Sequence, residues 1–252
     1  MQIADKERKT FIKSVCPLKF NITEELKALA NNRVMFAIPT RGNDIYWQLA
    51  VYLFQQSKIF KEIGLLFGLS GWQAASQHLF NSASVVDADF FQFLDSDIGP
   101  HHETTLQLMS HDLDMVTAPV WHYSPVDNDI HLNVHRKTTS GRVHTPGTGL
   151  EPIASSSLAC LLVKRRVFDV FLEAGESFCS WSPLIDKELD STPTDVIFFA
   201  KAKKLGLQLW VDWDVTFPVH HKYVGLCQDS IEKFVFNRRK ELIEASQDND
   251  QD

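Results

Sequence analysis

An α/β fold with a mostly parallel sheet flanked by helices is predicted by three observations. From Arg33 onward, short buried runs alternate with stretches whose apolar residues recur at helical spacing. No period of 20–50 residues recurs, which excludes a repeat architecture. The 252 residues are 44% hydrophobic and 23% charged, ordinary values for a globular chain able to bury one large core.

Residues 1–30 read as a polar lead-in holding one short helix, TEELKALANN. Arg33–Pro39 (RVMFAIP) is a buried strand ending at proline. Asn43 to Lys58 places Ile45, Leu49, Tyr52 and Leu53 at helical spacing, and Asp44 is a candidate cap for that helix. Ile63–Leu69 is the second strand, and Gly71-Trp72 leads into a helix reaching Val86. Asp89–Leu94 is the third strand, His101–His111 a helix and Met115–Val120 the fourth strand. Residues 121–149 form a polar stretch punctuated by proline and glycine, too long for an ordinary connection and read as a functional loop or small hairpin excursion. Regular patterning returns with a strand and helix in SSSLACLLVKRRVFDVF. TPTDVIFFAKAKKLG is a helix opened by Pro193-Thr194 and closed by lysines and Gly206. LQLWVDWDVTFPV is a strand pair or one bent strand. Residues 226–252 supply a C-terminal helix, from Ser230 to about Ala245, and an acidic tail.

The formal net charge of −7 argues against a broad electrostatic grip on nucleic acid. Arg41, Lys164, Arg165, Arg166, Lys201, Lys203 and Lys204 remain candidates for meeting an anionic ligand locally. The four cysteines (Cys16, Cys160, Cys179 and Cys227) form no CxxC pair, so a zinc knuckle is not expected and a reducing compartment is. The polar start, MQIADKERKT, lacks the apolar centre of a signal peptide, and no apolar run approaches the ~20 residues of a membrane span. A cytoplasmic protein is the expectation.

The third strand ends in LDSDIGP, which delivers Asp95 and Asp97 to its tip. Ligands of parallel α/β sheets sit beyond the carboxyl ends of the strands. Two carboxylates there repel unless cationic groups offset them, and Mg²⁺ or Mn²⁺ does so with carboxylate oxygens while bridging to substrate phosphates. An extended segment would turn one aspartate toward the ion and the other toward a ribose hydroxyl or a bound water. A plain turn cap, followed by a helix opened by Asp97, is the alternative. A phosphatase of the haloacid dehalogenase type also places DxD after a strand, but it usually has Thr or Val where this chain has Gly99, and it carries the motif near its start.

Four features in order give the chain a resemblance to GT-A-fold glycosyltransferases of the family 2 type. They are a strand ending in Ile38-Pro39-Thr40-Arg41, the LDSDIGP strand, the helix TPTDVIFFAKAKKLG with its following strand, and VTFPVHHK. They span Val34 to Lys222. The resemblance implies a GT-A (Rossmann-like) domain over residues 31–225 that moves a sugar from a UDP-, GDP- or other nucleotide-sugar donor. Pro39, Thr40 and Arg41 then hold the nucleotide. Asp97 and Asp95 hold Mn²⁺ or Mg²⁺, with His220 as a further ligand in preference to His221. Asp195 is the catalytic base, although the family often has Glu-Asp where this chain has Thr194-Asp195. At a helix N-terminus the dipole is expected to lower the pKa of Asp195. Gly147-Thr148-Gly149 matches a segment bordering the acceptor pocket. Trp72 is a candidate stacking residue or core residue. His122, His131, His135 and His144 match no zinc spacing and read as solvated or acceptor-facing. The acceptor is left open among a saccharide, a protein and a modified nucleic-acid base. The rival readings are a nucleotidyltransferase of similar fold, which usually carries a Gly-rich basic loop where this chain has PTRGND, and a non-catalytic module that binds a sugar-nucleotide or glycan.

Overall fold

Strands buried along most of their length and helices buried on one side assemble into layers around a central sheet. The computed structural model describes residues 24–40, 45–69, 72–124, 129–136, 143–180, 182–185, 193–215 and 220–221. The elements are α1 (Glu24–Leu29), β1 (Arg33–Thr40), α2 (Trp47–Ile59), β2 (Glu62–Leu69), α3 (Trp72–Val85), β3 (Phe90–Leu94), β4 (Ile98–Gly99) and α4 (Thr104–Ser110). There follow β5 (Met115–Thr117), β6 (Trp121–Ser124), β7 (Asp129–Leu132), β8 (Val134–His135), β9 (Leu150–Ile153), β10 (Ser155–Ser156) and β11 (Cys160–Lys164). The last are α5 (Arg165–Glu173), α6 (Thr194–Lys204), β12 (Leu209–Asp212) and β13 (His220–His221). Trp72 opens α3, and its side chain lies outside the described residues, as do Arg41, Asp44, Cys16, Cys227 and the expected C-terminal helix. The residue at the N-cap of α2 is Tyr46, not Asp44, and it makes no side-chain cap.

Seven strands form one sheet in the order β2-β1-β3-β11-β5-β12-β9. β1, β2, β3, β5 and β12 run parallel, while β11 and β9 run against their neighbours. The chain therefore has the mixed α/β, mostly parallel sheet that alternation predicts, with two reversed strands that alternation does not reveal. β3 is buried at every position, as a central strand covered on both faces must be.

The sheet separates two apolar cores. On one face lie Leu49, Tyr52 and Leu53 of α2 with Leu106, Leu108 and Met109 of α4. On the other, α3, α5 and α6 pack through phenylalanines. Phe80 is fully buried there, with ring centroids 4.5 Å from Phe93, 4.4 Å from Phe198 and 5.8 Å from Phe178. Burial pushes the Cys160 thiol up to about 12 and the Cys179 thiol upward as well, and both cysteines are free. Lys201 of α6 is fully buried, with its ammonium 2.9 Å from Glu176 and donating to the Ser177 carbonyl at 2.7 Å.

The excursion at 121–149 contains a real hairpin, β6 with β7, and β8 pairs with β10. Asn133 fastens it to the sheet. Its side-chain oxygen accepts from Val120 N–H at 2.7 Å, and its amide donates to Ser157 Oγ at 2.9 Å. No helix among the described residues is long and apolar enough to cross a membrane.

Candidate active site

Parallel β1, β3, β5 and β12 all point their carboxyl ends to one edge of the sheet, and the candidate residues gather there. β1 delivers Pro39 and Thr40, both buried. β3 delivers Asp95, whose N–H donates to the Ala159 carbonyl at the start of reversed β11, 3.1 Å away. The chain does not continue in the extended form expected of Asp95–Asp97. Ser96 and Asp97 form a turn, closed by the Ile98 N–H on the Asp95 carbonyl at 3.4 Å. The turn is pinned from the side by the Tyr46 N–H on the Ser96 carbonyl at 2.7 Å. In an extended DxD the two carboxylates, two residues apart, would share one face of the strand. The turn also keeps both within electrostatic reach of each other.

Gly99 follows for a steric reason. A Cβ there would lie 2.6 Å from Cβ of Gln48, so only glycine lets β4 pass so close to α2. β4 then pairs antiparallel with β13, with His220 opposite Gly99 and His221 opposite Ile98. The backbone thus carries the C-terminal histidines beside the Asp97 turn. Their side chains lie outside the described residues.

α6 opens at the same place, with Pro193 at its N-cap. The Val196 N–H donates to Asp195 Oδ1 at 2.9 Å. The helix N-terminus nonetheless does not set the titration of Asp195. Burial raises its pKa and outweighs the lowering by the backbone N–H groups, so the expected depression is reversed: desolvation penalises the anion more than the helix end favours it.

Asp95 is the most perturbed carboxyl of the site. Burial first, then the charges of Asp97 and Asp195, hold its pKa well above the usual carboxylate range. Although the residue as a whole keeps some exposure, its Oδ1 is shut off from solvent and has no hydrogen-bond partner. Every influence on Asp95 opposes its anion. A buried oxygen with no donor, facing two further carboxyl groups, fits a hard divalent cation, which prefers such oxygens. Sequence reasoning missed two further groups at this edge. Gln48 Oε1 and Thr194 Oγ1 are buried without partners. Thr194 adjoins Asp195 in sequence, whereas Gln48 is recognisable only from its packing against Gly99.

Other expectations are not met here. Lys164, Arg165 and Arg166 sit at the opposite edge, because β11 is reversed and Lys164 pairs with Phe90 at the start of β3. They are engaged by Asp112, Asp169 and Asp114. Lys201 is engaged by Glu176. These cations serve the fold and do not face an anionic ligand at the candidate site. Arg41 lies outside the described residues.

The Gly147–Gly149 segment reaches the same carboxyl edge through β12. The Gly149 N–H donates to Asp214 at 3.0 Å, and a Cβ on Gly147 would lie 2.5 Å from Nε1 of Trp213. Gly149 has φ +63°, a further reason for glycine. In the hairpin, His131 and His144 both approach Asp129, at 3.8 and 3.6 Å. Among the described residues, one group of three has its potential ligand atoms all within 4.8 Å of one another: His101, His102 and Glu103, just beyond β4.

No protein-family model matches the chain, and a search of curated proteins finds no match. Some solved structures match the chain at low identity. A crystal structure of A197 from STIV is 15% identical with a TM-score of 0.46, covering 78% of this chain and 98% of that one. A structure of CMP:2-keto-3-deoxy-manno-octonic acid synthetase complexed with CTP is 11% identical with a TM-score of 0.41, covering 84% of this chain and all of the other (100%). Both likenesses are distant, and neither assigns this chain to a family.

Proposed function

We propose that the chain is a metal-dependent glycosyltransferase, of GT-A type, that moves a sugar from a nucleotide-diphosphate donor to an acceptor hydroxyl with inversion. The observation that carries this reading is the convergence of Asp95, Asp97 and Asp195, where burial first and then the charges of the other two raise the pKa of Asp95. Asp95 and Asp97 would hold Mn²⁺ or Mg²⁺, with His220 as the further ligand, its backbone carried beside the Asp97 turn by β13. Bound there, the ion would supply positive charge to offset that of the leaving diphosphate.

The chain's own groups do the rest. Pro39 and Thr40 form the wall against the nucleotide, with Arg41 beyond them. Asp195 accepts the acceptor's proton as the acceptor oxygen bonds to the anomeric carbon and the bond from that carbon to the diphosphate oxygen breaks. A carboxyl whose pKa is raised toward neutrality is a better base than an ordinary aspartate. Nucleotidyl transfer at the same edge would release pyrophosphate, whereas sugar transfer releases a nucleoside diphosphate.

The test is a thermal-shift screen of UDP-, GDP- and other nucleotide-sugars with and without Mn²⁺, followed by analysis of products. Stabilisation by one nucleotide class, dependent on Mn²⁺ and lost in Asp97→Ala, is expected, with nucleoside diphosphate as product. Absence of metal-dependent stabilisation by every donor refutes the proposal, and pyrophosphate release replaces it with nucleotidyl transfer. Metal-dependent binding without turnover would leave a binding module instead.

A further inference from the structure

We propose that His101, His102 and Glu103 form a second metal site, selective for a transition ion of the Zn²⁺ class and distinct from the carboxylate site at Asp95 and Asp97. The three residues occupy the turn between β4 and α4. His101 Nδ1 lies 3.9 Å from Glu103 Oε2, and His102 Nε2 lies 3.8 Å from Glu103 Oε1. The imidazole centroids are 4.0 Å apart with planes inclined at 43°. With Zn–N and Zn–O bonds of about 2.0–2.2 Å, ligand atoms at adjacent corners of a tetrahedron are about 3.4 Å apart. These two histidine–glutamate separations exceed that by about half an ångström, and one ligand atom from each of the three residues lies within 4.8 Å of the others, so side-chain rotation has to close the set around an ion.

The backbone beneath the cluster is already fixed. Gln56, fully buried in α2, donates to the His102 carbonyl at 2.8 Å. The Thr104 N–H closes the turn on the His101 carbonyl at 2.9 Å, and the Gln107 N–H holds the Glu103 carbonyl at 2.9 Å. The Glu103 N–H also reaches His101 Nδ1, at 3.4 Å, a contact long enough to yield to a metal bond or to leave Nε2 as the ligand atom. All three side chains are partly exposed, at 33%, 20% and 30%, so an ion has a route in and a fourth position is left for water. Two imidazoles and one carboxylate favour Zn²⁺ over Mg²⁺ or Mn²⁺, because nitrogen ligands discriminate against the harder ions. The two sites therefore differ in the ions they select, although only Ile98-Gly99-Pro100 separates Asp97 from His101.

The plain alternative is that Glu103 merely pairs with two histidines. Titrating the tag-free, chelator-treated full chain with Zn²⁺ alone, and recording the visible spectrum with Co²⁺ alone, separates the two. A bound ion is expected, with Co²⁺ bands of low coordination number. Glu103→Gln and His102→Ala should each weaken Zn²⁺ binding by at least about tenfold, given that even outer-shell changes at metal sites cost 10–100-fold. Glu103→Gln keeps the side-chain shape, so a result from it is readable even if His102→Ala folds poorly. Asp97→Ala should retain Zn²⁺ binding, which separates this proposal from the glycosyltransferase reading. No Zn²⁺ binding, or equal binding by wild type and Glu103→Gln, overturns it, as does loss of Zn²⁺ in Asp97→Ala with retention in Glu103→Gln.

Discussion

Asp95→Asn tests the electrostatics of the site directly. In the chelator-treated protein, Asp95 carries an Oδ1 that is sealed from solvent and unpartnered, and burial with the charges of Asp97 and Asp195 disfavours its anion. Below the ordinary aspartate value of 3.8 both folded and unfolded chains hold the proton, and the substitution should change little. As pH rises above that value, the unfolded chain ionises while the folded one retains its proton. Stability is therefore lost progressively until the folded group ionises. Asparagine removes this loss. Each unit by which the folded pKa exceeds the unfolded one costs about 1.4 kcal/mol once pH has passed it. For a chain of this length each kcal/mol shifts Tm by roughly 2–4 °C, so Asp95→Asn should melt at least about 3 °C higher than wild type at pH 8. The gain should shrink at pH 5. Saturating Mn²⁺ should reverse the order by stabilising the wild type selectively. Differential scanning calorimetry at the two pH values, with and without Mn²⁺, measures all four states. A metal-free Asp95→Asn protein that melts below wild type at pH 8, or by the same margin above it at both pH values, would refute the reasoning.

Two further outcomes concern the frame that holds the site. Phe80→Ala removes the ring on which Phe93, Phe178 and Phe198 converge, and should lower unfolding free energy by about 3–5 kcal/mol in urea titration; a loss under 1 kcal/mol would show that the core there is loose. Glu176→Gln leaves the fully buried Lys201 ammonium without its counter-charge and should cost about 3 kcal/mol or more, while adding Lys201→Met should recover part of that loss; a double variant less stable than Glu176→Gln alone would contradict the pairing.

The parallel strands and their helices were legible because burial on both faces writes continuous apolar runs, and Phe90–Leu94 is such a run. The reversal of β11 was not. A strand buried on both sides has the same composition in either direction, and Cys160–Lys164 gives no sign of its polarity. The short strands β4 and β13 were equally silent, because two residues carry no period; Gly99 signals a close approach only once Gln48 is seen beside it. Asp95, Asp97 and Asp195 were readable as candidates from their places at element ends. Their mutual influence was not readable, since Asp195 lies about a hundred residues away in sequence. The pKa of Asp195 ran opposite to expectation because a helix terminus is visible in sequence and desolvation is not. Likewise Lys164, Arg165 and Arg166 looked available only while the direction of β11 was unknown.

The reversed strand has a mechanical corollary. A parallel strand in this position would meet the site with its exit, a loop leading straight to a helix. β11 meets it with its entrance, so the residue that accepts the Asp95 N–H, Ala159, is the last link of a path running back through Ser157 to Asn133 and the hairpin. Asn133 is thereby joined to the backbone of Asp95 by a chain of three hydrogen bonds, by way of Ser157 and Ala159. A change that shifted Asn133 would reach Asp95 through Ser157 and Ala159 while the sheet stays fixed.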